Sequence, residues 1–265
     1  VAASALDTDI GNSIKYAGTL TVTGIANGNE PAVLTAYTTA ITGATTNTLT
    51  AADGTWSVAA STLTTALADG VRLAGALTVT DITDETAALT AFTATTTGAT
   101  SVTLTASDST WSVAGSALTT ALADGVFFAG ALTVTGIANG SEAAALTAFT
   151  ATLTGATSVT LTATDGTWSV ATADLATALT AGVRFAGALT VTGIANGNEA
   201  AALTAYTSAT TGAASVTLTA SDSTWSVSVA DLTAALAAGV RFAGTLTITD
   251  IAAGDKAAAL TDYTT

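Results

Sequence analysis

An internal repeat runs through the whole chain and limits the folds that are open to it. The stretch GALTVTGIANG at 130–140 returns with small changes at four other glycines: Gly18, Gly75, Gly187 and Gly244. The repeating units are 1–70 (a partial first unit followed by a full one), 71–125, 126–182, 183–239 and 240–265 (truncated). Both ends cut a unit partway, so we expect 1–265 to be a single solenoid array and a piece of a longer one.

Each unit divides again into two modules of about 28 residues. The segment ALTVTGI at 188–194 recurs as SVTLTAS at 215–221, and an alanine-rich segment follows each of them. In ALTVT, Leu189 and Val191 point to one face, while Thr190 and Thr192 point to the other. This period-two alternation predicts a strand with one buried face.

The alanine-rich segments carry the start and stop signals of helices. The first helix of each unit is predicted to begin after a favourable N-cap residue: Asn29, Asp84, Ser141, Asn198 or Asp255. Leu146, Phe149 and Leu153 then follow at the spacing of one helix face. The second helix is predicted to end at a glycine in the left-handed C′ position: Gly70, Gly125, Gly182 or Gly239.

Strands that alternate with helices at so short a step are joined by helical crossovers and therefore lie parallel. Because one module cannot bury both of its faces alone, neighbouring modules must stack into a continuous core. The sequence predicts an α/β repeat solenoid with one parallel sheet and short crossover helices. A right-handed parallel β-helix is the alternative, because threonine-rich helices have low intrinsic propensity.

The composition argues against several classes of function. Only 9% of residues are charged, the net charge is −14, and four of the five basic residues lie at one equivalent position of the repeat: Lys15, Arg72, Arg184 and Arg241. The absence of a basic patch excludes nucleic acid as a partner, and no apolar run is long enough for membrane insertion. The chain has no histidine or cysteine, and its acids recur by repeat instead of clustering at one place, so we expect no enzyme.

The most regular feature is a Thr-x-Thr pair in every module. The pairs are Thr21/Thr23, Thr48/Thr50, Thr78/Thr80, Thr103/Thr105, Thr133/Thr135, Thr160/Thr162, Thr190/Thr192, Thr217/Thr219 and Thr247/Thr249. If all nine strands share one sheet in register, the pairs form a ladder roughly 40 Å long at about 4.8 Å per strand. This ladder is a candidate face for assembly or for ice, since it resembles the faces of ice-binding solenoid proteins. The alternative is that threonine simply suits the outer face of a sheet.

Two further residues recur once per unit. The tryptophans of TWSV are predicted to stack in the core, with a glycan platform as the alternative: Trp56, Trp111, Trp168 and Trp225. The turn aspartates before them are predicted to form Asx-turns, with calcium sites as the alternative: Asp53, Asp108, Asp165 and Asp222. No other cofactor is expected. The basic residue that follows a helix-ending glycine is Lys15, Arg72, Arg184 or Arg241, with Phe127 in its place in one unit, and it is predicted to bond the free carbonyls there or a nearby acid.

Alternating LTVTDI or VTLTAS strands with AALTA or ADLTTAL segments resemble the tandem-repeat regions of large secreted bacterial surface proteins. These include adhesins, S-layer-like proteins and type I secretion substrates, and the resemblance covers 1–265. It implies an extracellular or cell-surface location and a structural role. We therefore expect a non-enzymatic repeat protein that assembles with itself into a filament, surface layer or adhesin stalk, with an ice-binding solenoid as the alternative.

Overall fold

The computed structural model of the chain describes residues 1–252. In this range parallel strands alternate with helices, and the strands follow one another in chain order in a sheet. The strands are β1 (Thr19–Ile25), β2 (Thr46–Ala59), β3 (Val71–Ile82), β4 (Ser101–Ala114), β5 (Val126–Ile137), β6 (Ser158–Ala171), β7 (Val183–Ile194), β8 (Ser215–Ser228) and β9 (Val240–Thr249). The α/β class predicted from the sequence is confirmed.

The helices between the strands are short, as predicted for crossovers of this length. They are α1 (Ala3–Gly11), α2 (Glu30–Ala36), α3 (Thr39–Thr42), α4 (Ala60–Ala68), α5 (Glu85–Ala91), α6 (Ala94–Thr97), α7 (Gly115–Ala123), α8 (Glu142–Ala148), α9 (Ala151–Thr154), α10 (Thr172–Thr180), α11 (Glu199–Ala205), α12 (Ser208–Thr211) and α13 (Val229–Ala237). Among the described residues, no helix has the length and apolar character needed to cross a membrane.

Two compact bodies make up the chain. The N-terminal body comprises 1–133 and 152–157, and the C-terminal body comprises 134–151 together with the chain from Ser158 onward. The boundary falls inside β5 and α9 and not in a linker. The two bodies have the same internal construction because they contain the same repeat.

The strands β2, β4, β6 and β8 are long and bent in the middle. In the N-terminal body, Asn47–Thr50 pair with Val71–Ala74, and Thr55–Ala59 pair with Ala76–Thr80. The register shifts between Thr50 and Thr55. Residues 51–54 of β2 form a turn there, and Gly75 alone lies opposite them in β3. β6 and β7 repeat this arrangement in the C-terminal body. The tryptophan segment that follows the turn is therefore the second half of one continuous strand.

Glycine is required where the bent strand meets its neighbour. Gly187 has φ +93°, and a Cβ built on it would lie 2.2 Å from the carbonyl oxygen of Gly166 in the bend of β6. The bend residue itself tolerates a side chain, because Ser109 and Ser223 occupy the left-handed region at φ 61° and 60°. The close approach of two backbones, more than the turn, accounts for the recurring glycine.

The predicted alternation of strand residues is confirmed. Leu189 and Val191 are buried, and Thr190 and Thr192 on the opposite face are half-exposed. The helices contribute further apolar residues to the core, such as Leu175 on α10 and Leu203 on α11. The sheet therefore has one face packed in the core and one face that carries its threonines outward.

The helix boundaries agree with the sequence at most ends. Asn29, Asp84, Ser141 and Asn198 occupy the N-cap positions, although only the Asp84 side chain accepts a capping hydrogen bond. Asp255 lies outside the described residues. The four glycines predicted at C′ all have positive φ: Gly70, Gly125, Gly182 and Gly239.

One helix prediction is wrong. Leu146 and Phe149 are buried, but Leu153 is 50% exposed, because α8 ends at Ala148 and a new short helix follows. The same break occurs at Thr93, where the backbone becomes extended and a capping box with Thr96 begins α6. A threonine that caps the next helix therefore ends the first one early.

Candidate functional site: the outward face of the sheet

All eighteen threonines of the Thr-x-Thr pairs lie on strands, and none of them is buried. The residue between the two threonines of each pair is a buried leucine or valine, except in the last pair, where Ile248 is half-buried. Within each body, the strands therefore hold the threonine methyl and hydroxyl groups on one face. We call this surface the threonine face; it also carries the serines and alanines that alternate with the same inward residues.

The threonine pairs do not form one continuous ladder, and this part of the prediction is wrong. Thr21 pairs with Thr48, but the next partner of Thr48 across the sheet is Arg72, and Thr160 likewise pairs with Arg184. The first half of each long strand pairs with the start of the next strand, where the arginine lies, and the second half pairs with the Thr-x-Thr segment of that strand. The register shift between the two halves therefore breaks the ladder. Threonine–threonine neighbours consequently occur two strands at a time within each body.

The second threonine of a Thr-x-Thr pair departs further from the predicted ladder than the first. Thr23 bridges Ala2 at the start of the chain, whereas the ladder would have placed it opposite Thr50. Thr219 pairs with Ala243. Alanine or serine is also the partner of the other second threonines whose pairing the structure gives: Thr50, Thr80, Thr162, Thr192 and Thr249. The prediction that the second threonines face one another is therefore wrong for these positions.

The two second threonines in the middle of the chain are Thr105 and Thr135, and Thr105 also departs from the predicted ladder. The register of β4 with β3 passes from Leu104 to Ala106, so Thr105 falls in the shift and does not lie opposite Thr80 as predicted. Thr135 is half-exposed on β5, at the repeat position of Thr80, whose own partner is Ala59. The second threonines thus lie on the predicted face of the sheet, and those whose pairing the structure gives have no threonine partner.

Each repeat builds the same short row across the sheet. In the C-terminal body the row runs from Ser169 to Thr190, then to Thr217, and ends at Arg241. In the N-terminal body Ser57, Thr78 and Thr103 form the corresponding row. The threonine face of each body therefore contains a short row of hydroxyl groups.

Most hydroxyls of these rows have no hydrogen-bond partner in the part of the chain that the structure describes. Among residues 1–252, no protein group hydrogen-bonds the hydroxyl oxygens of Thr78, Thr103, Thr190 or Thr217. In contrast, the Thr80 hydroxyl donates to Asp81 at 3.1 Å, and that of Thr192 to the Val170 carbonyl at 3.4 Å. The unpartnered hydroxyls are available to water or to another molecule.

The arginines at the row ends bond the backbone, as predicted. The Arg184 guanidinium donates to the carbonyl of Val183 at 2.8 Å and to that of Leu179, in the last turn of α10, at 3.4 Å. Arg72 makes the same contacts with Val71 and Leu67. These side chains therefore stabilise helix ends.

The turn aspartates form the predicted Asx-turns. In each one, a carboxylate oxygen accepts the backbone N–H two residues ahead; for Asp165 the donor is Thr167, at 2.9 Å. The same contact recurs for Asp53, Asp108 and Asp222. In the part of the chain that the structure describes, no three acidic residues come together to hold a metal ion.

A side-chain clasp that sequence reasoning missed joins successive strands at these turns. The Asn139 amide donates to the second carboxylate oxygen of Asp165 at 2.7 Å, and Asn27 donates to Asp53 at 2.6 Å. The repeat 71–125 lacks this Asn-Gly pair, which explains its shorter length; there Glu85 accepts the Ser112 N–H at 2.8 Å. The difference in length between units was the sequence signal available for this clasp, but it does not identify the residues that bond each other.

The tryptophans are core residues, which removes the observation behind the glycan platform. Trp168 is 2% exposed, its indole N–H donates to the Ala186 carbonyl at 3.2 Å, and its ring meets Phe185 edge-on at 5.2 Å. Trp111 and Trp225 make the equivalent contacts with Phe128 and Phe242. No tryptophan face is open to a sugar.

A groove of about 440 Å³ lies between α10 and α11 in the C-terminal body. Its lining is mostly alanine, with Thr172, Asn198 and Tyr206 as its main polar contributors. Neutral amide and hydroxyl groups of this kind offer neither a general base poised near neutral pH nor an activated nucleophile. The groove can accommodate an apolar group but presents no constellation for bond-breaking chemistry.

We expect the fold to lose stability as pH falls through the pKa values of the turn carboxylates. The Thr167 backbone N–H, followed by the Thr167 side chain, lowers the pKa of Asp165, and corresponding bonds lower the pKa of Asp53, Asp108 and Asp222. A carboxyl whose pKa falls on folding stabilises the folded chain above its unfolded pKa, and this contribution is lost as pH falls through the folded value. The midpoint of thermal unfolding should therefore drop on acidification less in a variant with all four Asp→Asn than in the wild type. Parallel curves would contradict this.

Comparisons of the chain with protein-family models, curated proteins and solved structures gave no match.

Proposed function

We propose that this chain is a non-catalytic structural repeat of an extracellular surface protein, and that copies of it associate through the threonine face. The observation that carries the proposal is the identity of the repeats. The pairing of Ala76 with Ser101 and of Thr78 with Thr103 recurs as Ala188 with Ser215 and Thr190 with Thr217. A catalytic or ligand site breaks such equivalence at one place, whereas an array built for extension or packing keeps it.

The chemistry of the threonine face supports association with a second copy. Its rows contain hydroxyl and methyl groups and one arginine at an end, with no acid in the rows from Ser57 to Thr103 or from Ser169 to Arg241. The acids lie instead in the bends and at the ends of strands, in turns and in helices. A weakly charged, regular surface loses little hydration energy when a like surface covers it. The resemblance to bacterial adhesin and S-layer-like repeats agrees with this role.

A charge-matched pair of variants tests the proposal. The face variant carries Thr78→Lys, Thr103→Lys and Thr190→Lys; the control carries Thr65→Lys, Thr120→Lys and Thr177→Lys at exposed helix positions. Sedimentation velocity at rising concentration and negative-stain microscopy should show assemblies for the wild type and the control, and monomers for the face variant. A wild type that stays monomeric at all concentrations, or equal losses in both variants, would overturn the proposal.

Ice is the second candidate for the threonine face, and the unpartnered hydroxyls of Thr78, Thr103, Thr190 and Thr217 favour it. Those groups can join an ordered water layer without giving up a bond within the protein. Thermal hysteresis measured on the same variants separates the two functions. Ice shaping by the wild type and control, lost in the face variant, supports ice binding, and its absence from the wild type at high concentration excludes it.

A further inference from the structure

We propose that Asn27 is a site of spontaneous covalent modification, at which its carboxamide becomes a carboxylate, and that glutamates protect the two sister asparagines from the same reaction. Asparagine followed by glycine occurs in three equivalent exposed loops, at 27–28, 139–140 and 196–197. Each loop joins the end of one strand to the next helix. This inference is independent of the proposed function.

The three loops share the features that make the reaction feasible. The glycines have nearly equal dihedral angles, with φ of +87° at Gly28, +85° at Gly140 and +87° at Gly197. A Cβ added to any of them would meet nothing within 4 Å, so all three loops are uncrowded at the glycine. The Asn27 and Asn139 amides donate to the turn carboxylates of Asp53 and Asp165, and the Asn196 amide helps to lower the pKa of Asp222 at the equivalent position. These shared features make the loops a matched set.

The reaction needs only water. The Gly28 nitrogen loses its proton and attacks the side-chain carbonyl carbon of Asn27; the new C–N bond forms as the bond to the amide nitrogen breaks, and ammonia leaves. Water then opens the cyclic imide at either carbonyl and gives aspartate or isoaspartate. One water is consumed and one ammonia released, without oxidation or reduction.

The loops differ at the attacking nitrogen. The Gly140 N–H donates to the Glu142 carboxylate at 2.6 Å, and the Gly197 N–H donates to Glu199 at 2.6 Å. No acceptor for the Gly28 N–H lies among the described residues, although Glu30 occupies the position of Glu142. A carboxylate that holds this proton opposes its loss, because the negative charge disfavours an anionic nitrogen beside it. Asn27 is therefore the unprotected site.

Modification at Asn27 changes the clasp that it forms. A carboxylate in place of the amide cannot donate to Asp53, and it places a second negative charge beside that residue. The loop between β1 and α2 therefore loses its tie to the bend of β2, and the chain gains negative charge with age.

Ageing of the full chain in mildly alkaline buffer made with ¹⁸O water, followed by peptide mapping, tests the proposal. Asn27 should incorporate label at least about tenfold faster than Asn139 and Asn196, since a hydrogen bond to a charged group contributes at least this factor. Asn29 and Asn198, each followed by glutamate, are internal controls that should stay unmodified. Equal labelling at all three loops, or none at Asn27, would overturn the proposal.

Two substitutions test the protection directly. Glu142→Gln and Glu199→Gln keep an acceptor near the glycine N–H but remove the charge, so labelling at Asn139 and Asn196 should rise toward the rate at Asn27. Glu30→Gln is the matched control, and it should leave the labelling of Asn27 unchanged because the Glu30 carboxylate does not accept the Gly28 N–H in the described structure. If the first two variants label no faster than the wild type, the glutamates do not protect and the assignment fails.

Discussion

Replacing Gly187 with alanine should destabilise the C-terminal body by about 3 kcal/mol, since it combines left-handed strain with overpacking against fixed backbone. The Cβ would lie 2.2 Å from the carbonyl oxygen of Gly166. This oxygen belongs to the bend of β6, where Thr162 and Thr167 on either side are held by pairing with β7. The bend therefore cannot retreat without breaking strand pairs.

Gly193 is the matched control for this substitution. It lies in the same strand at φ +72°, and a Cβ there meets nothing within 4 Å. Its counterpart in the repeat 71–125 is Asp81 at φ 57°, so the position already accepts a side chain. Gly193→Ala should cost about 1–2 kcal/mol, the left-handed term alone. Urea unfolding gives both values, hydrogen exchange should locate the extra loss for Gly187→Ala in β6 and β7, and equal losses would contradict the steric argument.

The sequence predicted which face each strand residue takes, but not its partner across the sheet. Thr48 pairs with Arg72 in the structure, while a continuous ladder would have paired it with Thr78. The two registers differ by an even number of residues, and therefore both keep leucines inward and threonines outward. Hydrophobic alternation cannot distinguish them. The register is selected by the bend of β2 at Asp53 and by the close approach of the Gly54 carbonyl in this bend to Gly75. Both are tertiary features.

The side-chain clasp and the break between α5 and α6 could not be predicted from the sequence, for related reasons. Asn27 and Asp53 meet only because the loop after β1 lies beside the bend of β2, which follows from the register. The box that begins α6 uses Thr96 where the usual signal is glutamate or glutamine, so nothing marked Thr93 as a helix start. The Asx-turns, the buried tryptophans and the helix-ending glycines were predictable because each depends on a few adjacent residues.

Trp168→Ala should lower the free energy of unfolding by about 3–5 kcal/mol, the usual cost of removing a buried tryptophan. The ring is 2% exposed and packs edge-on against Phe185 at an interplanar angle of 71°. Its removal also leaves the Ala186 carbonyl without the indole N–H that now donates to it. Trp168→Phe retains most of the packing and loses that bond, so it should cost about 1–3 kcal/mol.

The first full repeat contains a natural control for the aromatic pair. Leu73 occupies the register position of Phe185, so Trp56 has the same burial and the same indole bond, to Ala74 at 2.9 Å, but a leucine where Trp168 meets a ring. Trp56→Ala should therefore cost about 0.5–1.5 kcal/mol less than Trp168→Ala, the contribution of an edge-on aromatic contact beyond its buried area. Phe185→Leu should reduce the cost of Trp168→Ala to that of Trp56→Ala. If the two tryptophans cost the same in the wild type, the aromatic contact contributes nothing beyond burial, and the repeats are energetically equivalent despite their different side chains.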